Sequence, residues 1–355
     1  MKVSVPGKLM VAGEFAVLEP YQPLVVMAVN RFVHVDLEPA HTNELSLLDF
    51  GLENLAWSWD SKQVVVSRED KRLQFVQQAM EVTIRYLEES DLPLTPVHLR
   101  IHSELDDASG VKYGLGSSAA VVTGVVRSLL TYFLDEKPTN MLVFKLASIA
   151  HVVTQGNGSG ADIAAASFHG VLKYTSFQAE WLLKEWEKAT TITGLATENW
   201  KYLTIERVQF PADLQVLVGW TGTAASTKHL VGKIKQMKNK AYETFLKESA
   251  AAVSMILKGM DYNDTDLFLR GIEKNRHVLS ELGRVASVPI ETERLYHLAK
   301  AAQSFQGAGK LSGAGGGDCG IVFISKQANP DNIFSIWKEK SITPLDLTIY
   351  ERDLK

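Results

Sequence analysis

Two glycine-rich segments constrain this chain more than any other feature. Lys112-Tyr113-Gly114-Leu115-Gly116-Ser117-Ser118-Ala119-Ala120 stands between a β-like stretch and an apolar helix, and Ser312-Gly313-Ala314-Gly315-Gly316-Gly317-Asp318 follows about 200 residues later, before another strand. Glycine gives up the most backbone freedom on folding, so four glycines in five positions are costly for a mere connection. Close approach of backbone to a ligand explains them better than a tight turn. In the first segment the glycines let N–H groups turn toward one point, and the following helix N-terminus adds free donors and a positive dipole end. The hydroxyls of Ser117 and Ser118 suit phosphate oxygens or a magnesium ion. The competing reading is a turn capped by one of the two serines. Together the loops suggest a polyphosphate clamped between two lobes.

Two other nucleotide signatures fail. Walker A needs Gly-Lys followed by Ser or Thr, but Gly309-Lys310 runs into Leu311 and lacks the upstream glycine. Gly114, Gly116 and Ala119 match a dinucleotide fingerprint, with Asp135 at the expected distance. However, the apolar helix from Val121 to Phe133 runs straight to Asp135 and leaves no room for the strand that should carry the ribose-binding acid.

The charge balance, 37 Lys and Arg against 41 Asp and Glu, disfavours a reader of nucleic-acid backbones. Apolar runs fall far short of the roughly 20 residues of a membrane helix, so no membrane partner is expected. Cys319 is the single cysteine, so no intrachain disulfide can form and a cytoplasmic protein is expected. Pro6, Gly7, Lys8 and Glu14 interrupt the N-terminus before any signal-peptide core.

Lys2 to Val5, Pro23 to Val29, Arg31 to Leu37, Val97 to His102, Leu214 to Trp220, Cys319 to Ile324 and Leu345 to Tyr350 read as strands. Helical spacing marks Leu73 to Glu88, Ser118 to Leu134, Met141 to Gln155, Ile163 to Phe168 and Trp181 to Ala189. Further helices are expected at Ser226 to Lys238, Ala241 to Leu257, Asp264 to Leu282, Ile290 to Gln306 and Asn332 to Lys340. Grouped helices beside antiparallel-looking strands favour an α+β fold, with a boundary near residue 200. His98 and His102 share a strand face but lack a third zinc ligand, so they are read as surface residues. Lys233, Lys235, Lys238 and Lys240 read as a solvated helix face.

Three stretches in order resemble the motifs of the GHMP kinases: Pro6-Gly7-Lys8-Leu9-Met10-Val11-Ala12-Gly13-Glu14, Gly114 to Ala120, and Ser312 to Asp318. The resemblance spans nearly the whole chain. It implies a two-domain GHMP kinase fold, with a ribosomal protein S5 domain 2-like N-terminal domain (1–200) and a ferredoxin-like C-terminal domain (201–355) around a cleft. It also implies ATP and Mg2+. Gly13-Glu14-Phe15-Ala16-Val17-Leu18-Glu19-Pro20, Asp106 to Gly116 and Gly219 to Thr227 are most like the branch that phosphorylates 5-phosphomevalonate in isoprenoid biosynthesis. Another small-molecule kinase of the family, or a catalytically silent metabolite-binding relative, is the alternative. A monomer or homodimer is expected.

The matched positions supply expected roles. Lys8 corresponds to the family lysine near the transferred phosphoryl, placed here at the end of the first strand. Asp162 resembles the aspartate near the acceptor oxygen, and either orients Lys8 or removes a proton. Lys112, Gly114, Leu115, Gly116, Ser117, Ser118 and Ala119 would hold the nucleotide, with Ser118 on the metal. Gly13, Glu14, Gly313, Ala314, Gly315 and Gly316 would face the substrate. Ser226, Thr227 and His229, with Lys112 again and Trp220 as a wall, are candidates for the acceptor's own phosphate. Mevalonate kinases place a magnesium-binding glutamate eleven residues before that aspartate. Here the position is His151, a poor ligand for a hard cation.

Overall fold

The computed structural model describes residues 1–351 except 61, 108–109, 224–229, 231, 235–236 and 238–239. Its first sheet has eight strands in the order β5-β4-β3-β6-β2-β7-β8, with β1 off this path against β2. The strands are β1 (Lys2–Ala12), β2 (Pro23–Pro39), β3 (Glu44–Leu47), β4 (Leu52–Asp60), β5 (Gln63–Val66), β6 (Val97–Ser103), β7 (Val171–Thr175) and β8 (Thr204–Val208).

β2 organises this sheet. Along one edge it pairs antiparallel with β1, and its other edge is shared by β7 over residues 23–27 and β6 over residues 33–39. The sequence suggested two strands broken at Asn30. In fact the register slips there, from Pro6↔Phe32 to Gly7↔Val29, so two extra residues of β2 bulge while the strand continues. For the same reason Lys8 lies in the middle of β1 and not at its end. Helices α1 (Gln74–Glu89), α2 (Ser117–Phe133), α3 (Asn140–Gln155) and α4 (Ala161–Phe168) pack on one another, and α2 and α4 lie against β1 and β2. The apolar stripe of α1 at Val76, Met80, Ile84 and Leu87 is buried, as helical spacing predicts.

The second sheet is antiparallel throughout, β10-β11-β9-β12, from Ala308–Leu311, Cys319–Ser325, Leu214–Trp220 and Thr343–Leu345. Helices Lys240–Asp261 and Thr265–Ala286 pack on each other, and the latter also contacts β10. Helix Glu293–Ala301 lies on β10 and β11. It starts later than expected because Thr292 caps it, its side chain accepting the Leu295 N–H at 3.4 Å. β8 pairs with β7, so the change from one sheet to the other falls between Val208 and Leu214, beyond the expected residue 200. The expected final strand is Thr343–Leu345; past it the chain returns to the first sheet through a single bridge, Val29↔Ile349. The expected helix Ser226 to Lys238 lies largely outside the described residues. No described helix is long and apolar enough to cross a membrane.

Candidate active site

A cavity of about 470 Å3 opens between the two sheets' elements. Its lining includes Lys8, Lys112, Gly114 to Ser118, His151, Asp162, Ser312 to Ala314 and Asp318, so all three sequence motifs reach one place.

The β1 backbone docks directly on the first glycine loop, the Lys8 N–H donating to the Leu115 carbonyl at 2.9 Å. The Lys8 side chain is buried at 8 % exposure, and its Nζ donates to the Gly114 carbonyl at 3.0 Å. Gly7 keeps this approach close: a Cβ there would lie 3.1 Å from the Leu115 carbonyl oxygen and 2.9 Å from Leu105 Cδ2. Gly116, at φ +81°, is the N-cap of α2 and makes no side-chain cap. Neither Ser117 nor Ser118 plays the capping role, so the free N–H groups of the first turn remain for a ligand.

Asp162 occupies the first turn of α4, whose N-cap Gly160 is likewise left-handed and uncapped by a side chain. Its Oδ1 accepts the Ile163 N–H at 3.0 Å. A Cβ on Gly116 would lie 3.2 Å from Lys8 Cγ and 3.3 Å from Asp162 Cβ. The expected cation and acid therefore share one glycine as their common neighbour.

His151 is buried against the Phe75 ring, with centroids 5.1 Å apart, and its Nε2 lies 3.2 Å from Ser118 Oγ. Burial pushes its pKa down, while the Asp162 carboxylate pulls it back up. In the neutral ring with its hydrogen on Nδ1, Nε2 accepts the Ser118 hydroxyl proton and leaves the Ser118 lone pairs for a cation. Among the described residues no group of three or more His, Cys, Asp or Glu is placed to hold a metal ion alone.

Several expected residues do other work. Ala119 is wholly buried and can offer only its backbone. Gly315 and Gly316 are not in the cavity lining: a Cβ on Gly315 would meet the Ile290 carbonyl at 2.1 Å, and the Gly316 N–H donates to that same carbonyl at 2.9 Å. Gly13 turns the chain after β1 at φ +95°, where a Cβ would press on the Pro23 carbonyl at 2.5 Å. The Glu14 carboxylate is taken up by Lys310 and Asn275. Trp220 does not line the cavity; its ring stands edge-on to Tyr113 at 5.0 Å. Ser226, Thr227 and His229 lie outside the described residues. His98 is buried, not on the surface, and bonds Ser46 at 2.9 Å. The buried Cys319 thiol donates to the Tyr113 carbonyl, and burial pushes its pKa up, away from a nucleophile's range.

Sequence reasoning missed Asp106, Gln155, Asn157 and Ser159 in the lining. The available signal was Gly156-Asn157-Gly158-Ser159-Gly160, a third glycine-rich run, just before Asp162.

Two glycine loops and an uncapped helix N-terminus, with Lys8 and Asp162 beside them in a cleft between lobes, define a small-molecule phosphotransferase. The chain belongs to the GHMP kinase family: the GHMP kinases N terminal domain matches residues 74–170 and the GHMP kinases C terminal domain residues 256–342. It is 30% identical to the phosphomevalonate kinase of Streptomyces sp. (strain CL190), over 97% of this chain and 95% of that one. Among solved structures it is similar to the Lin0012 protein of Listeria innocua, with a TM-score of 0.91 and 36% identity over 99% of both chains. It is also similar to Streptococcus pneumoniae phosphomevalonate kinase in complex with phosphomevalonate and AMPPNP, with a TM-score of 0.85 and 26% identity over 99% of this chain and 100% of that one.

Proposed function

We propose that the chain transfers the γ-phosphoryl group of ATP to the phosphate of (R)-5-phosphomevalonate, giving (R)-5-diphosphomevalonate in the mevalonate pathway. The activity is that of a phosphomevalonate kinase, as in the Streptomyces relative and the streptococcal structural neighbour. The observation that carries this reading is the meeting of Lys8, Asp162 and the Gly114–Ser118 loop in one cleft.

Phosphoryl transfer needs alignment and charge neutralisation more than covalent help. The acceptor is a phosphate monoester, largely ionised at neutral pH, so a strong base is dispensable. Lys8 gathers the two anionic groups, and Asp162, beside the same glycine, orients Lys8 and the acceptor. The N–H groups of residues 116–119 hold the nucleotide phosphates. Ser118, with nucleotide oxygens and water, would hold Mg2+, which when bound neutralises charge on the β- and γ-phosphates. Lys112 and the loop Ser312 to Ala314 complete the cradle. The cytoplasm, where ATP is made, is the proposed location.

An assay that couples ADP release to NADH oxidation, run with phosphomevalonate, mevalonate and homoserine, tests the reading. Turnover is expected with phosphomevalonate, at a kcat/KM at least about a hundredfold above the other two. Preference for either of them would assign another activity within the family, and no turnover with any would favour a silent metabolite-binding protein.

A further inference from the structure

Glu14 ends the first motif and borders the cavity, yet both its oxygens have protein partners. Oε1 receives the Lys310 ammonium, and Oε2 accepts the Asn275 Nδ2–H at 3.1 Å. Lys310 is 0% exposed and Glu14 1%. Lys310 also donates to the Leu311 carbonyl, and Asn275 Oδ1 accepts the Gly13 N–H at 3.4 Å. Three elements are thereby joined: the turn after β1, helix Thr265–Ala286, and β10, which leads directly into the second glycine loop. Alongside, Ser312 Oγ accepts the Met10 N–H at 2.8 Å.

Charges removed from water are tolerated only when paired and hydrogen-bonded. Moving β10 relative to the turn after β1 would separate opposite charges with no solvent to receive them, so the array favours one placement of β10 against that turn. Lys8 lies six residues before Glu14, and Ser312 two residues after Lys310. That placement therefore sets where the two halves of the phosphate cradle stand.

We propose that Glu14 and Lys310 are positioning residues: their buried pair, completed by Asn275, fixes the β1 strand that carries Lys8 against the loop Ser312 to Asp318. Glu14 then acts on phosphoryl transfer through Lys310 and does not touch the acceptor. The proposal takes the phosphotransferase reading above as its setting.

Glu14→Gln, Lys310→Met and the double variant test it, assayed per folded molecule at a temperature where circular dichroism shows each to be folded. AMPPNP affinity is measured in parallel by calorimetry. Each single variant is expected to lower kcat about 10- to 100-fold, to change the acceptor KM less than about threefold and to weaken AMPPNP about tenfold; because the two act as one pair, the double variant is expected to be slowed about as much as the slower single and no further. A pair that only stabilised the fold would lower the melting temperature and leave kcat untouched, which would overturn the proposal. So would losses that multiply in the double variant, because Glu14 and Lys310 would then act independently. Should Lys310→Met not fold, Asn275→Ala loosens Glu14 without stranding a charge. It is expected to lower kcat about three- to tenfold at constant KM, and no loss would refute positioning. If wild type turns over no acceptor, the functional reading fails and the AMPPNP affinities decide alone: weaker in the singles and no weaker still in the double supports the pair's role, unchanged overturns it.

Discussion

Lys8 and Asp162 both stand against Gly116, within 3.2 and 3.3 Å of where its Cβ would be. They come from different elements, β1 and α4, and meet at the glycine that opens α2. The ammonium is held by the Gly114 carbonyl, so its charge is fixed beside the phosphate cradle before any ligand arrives. Lys8→Met is expected to reduce kcat by about 10²- to 10³-fold and Asp162→Asn by about 10-fold or more. Steady-state kinetics on folded protein checks both, and near-native turnover in the two variants would remove their assigned roles.

The second loop's glycines are separable by what surrounds them. Gly315 has no room, its Cβ position being 2.1 Å from the Ile290 carbonyl, whereas Gly313 has nothing within 4 Å and only a φ of +91° to pay for. Gly315→Ala is expected to cost about 3 kcal/mol and Gly313→Ala about 1 kcal/mol, by urea denaturation. The reverse order would mean that the loop is not supported by the segment at Ile290.

Much of the site was legible because short motifs carry their own geometry. Gly114, Gly116 and Gly160 all have positive φ, the requirement that glycine runs announce in a sequence. Other features depend on partners far along the chain. The pairing of Glu14 with Lys310 spans 296 residues, and nothing local to either predicts it. Strands β3 to β5 were missed: β4 alternates half-buried Leu55, Trp57 and Trp59 with exposed Ala56, Ser58 and Asp60, and its strand state comes from pairing with β3 and β5. β7 and β8 were missed too, since five residues give too short a pattern to read. The α1 to α4 layer, by contrast, followed from helical spacing.

Tyr174 supports the acid from below. Its hydroxyl donates to the Ser159 carbonyl at 2.5 Å, and Gly160, next in the chain, has no space for a Cβ, which would fall 2.5 Å from Phe177 Cε1. Tyr174→Phe leaves that carbonyl without its donor. A stability loss of about 1–2 kcal/mol and a kcat decrease of less than about tenfold are expected. Denaturation together with kinetics checks this, and an unchanged stability would show that the hydroxyl bond contributes nothing net.

Acid should weaken the fold through His98. Burial holds its pKa below the ordinary value, against the pull of Glu44, whose Oε2 lies 3.5 Å from Nδ1. With the folded value below about 6.5 and the unfolded value near 6.5, the unfolded chain binds more protons between them, so stability rises with pH there. The contribution is full above pH 6.5 and is lost as pH falls toward the folded value. Chemical denaturation from pH 5 to 7 should show a shallower slope for His98→Gln than for wild type. Equal slopes would remove His98 from the account.

Ser117 and Ser118 are adjacent hydroxyls on one helix turn, and only Ser118 meets His151. With the neutral His151 ring carrying its hydrogen on Nδ1, Nε2 accepts the Ser118 proton and the Ser118 oxygen presents lone pairs, the electrons a hard cation requires. Among the described residues Ser117 has no such partner to set its rotor. Ser118→Ala is therefore expected to raise the Mg2+ concentration for half-maximal activity about tenfold, and Ser117→Ala less than about threefold. His151→Phe, which keeps an aromatic body beside Phe75 but removes the acceptor, should shift the same quantity in the Ser118→Ala direction by a smaller factor. Titrations with Mn2+, followed by electron paramagnetic resonance in the presence of AMPPNP, give the affinity without turnover. Equal effects at the two serines would place the cation away from Ser118 and leave the His151 contact with a packing role only.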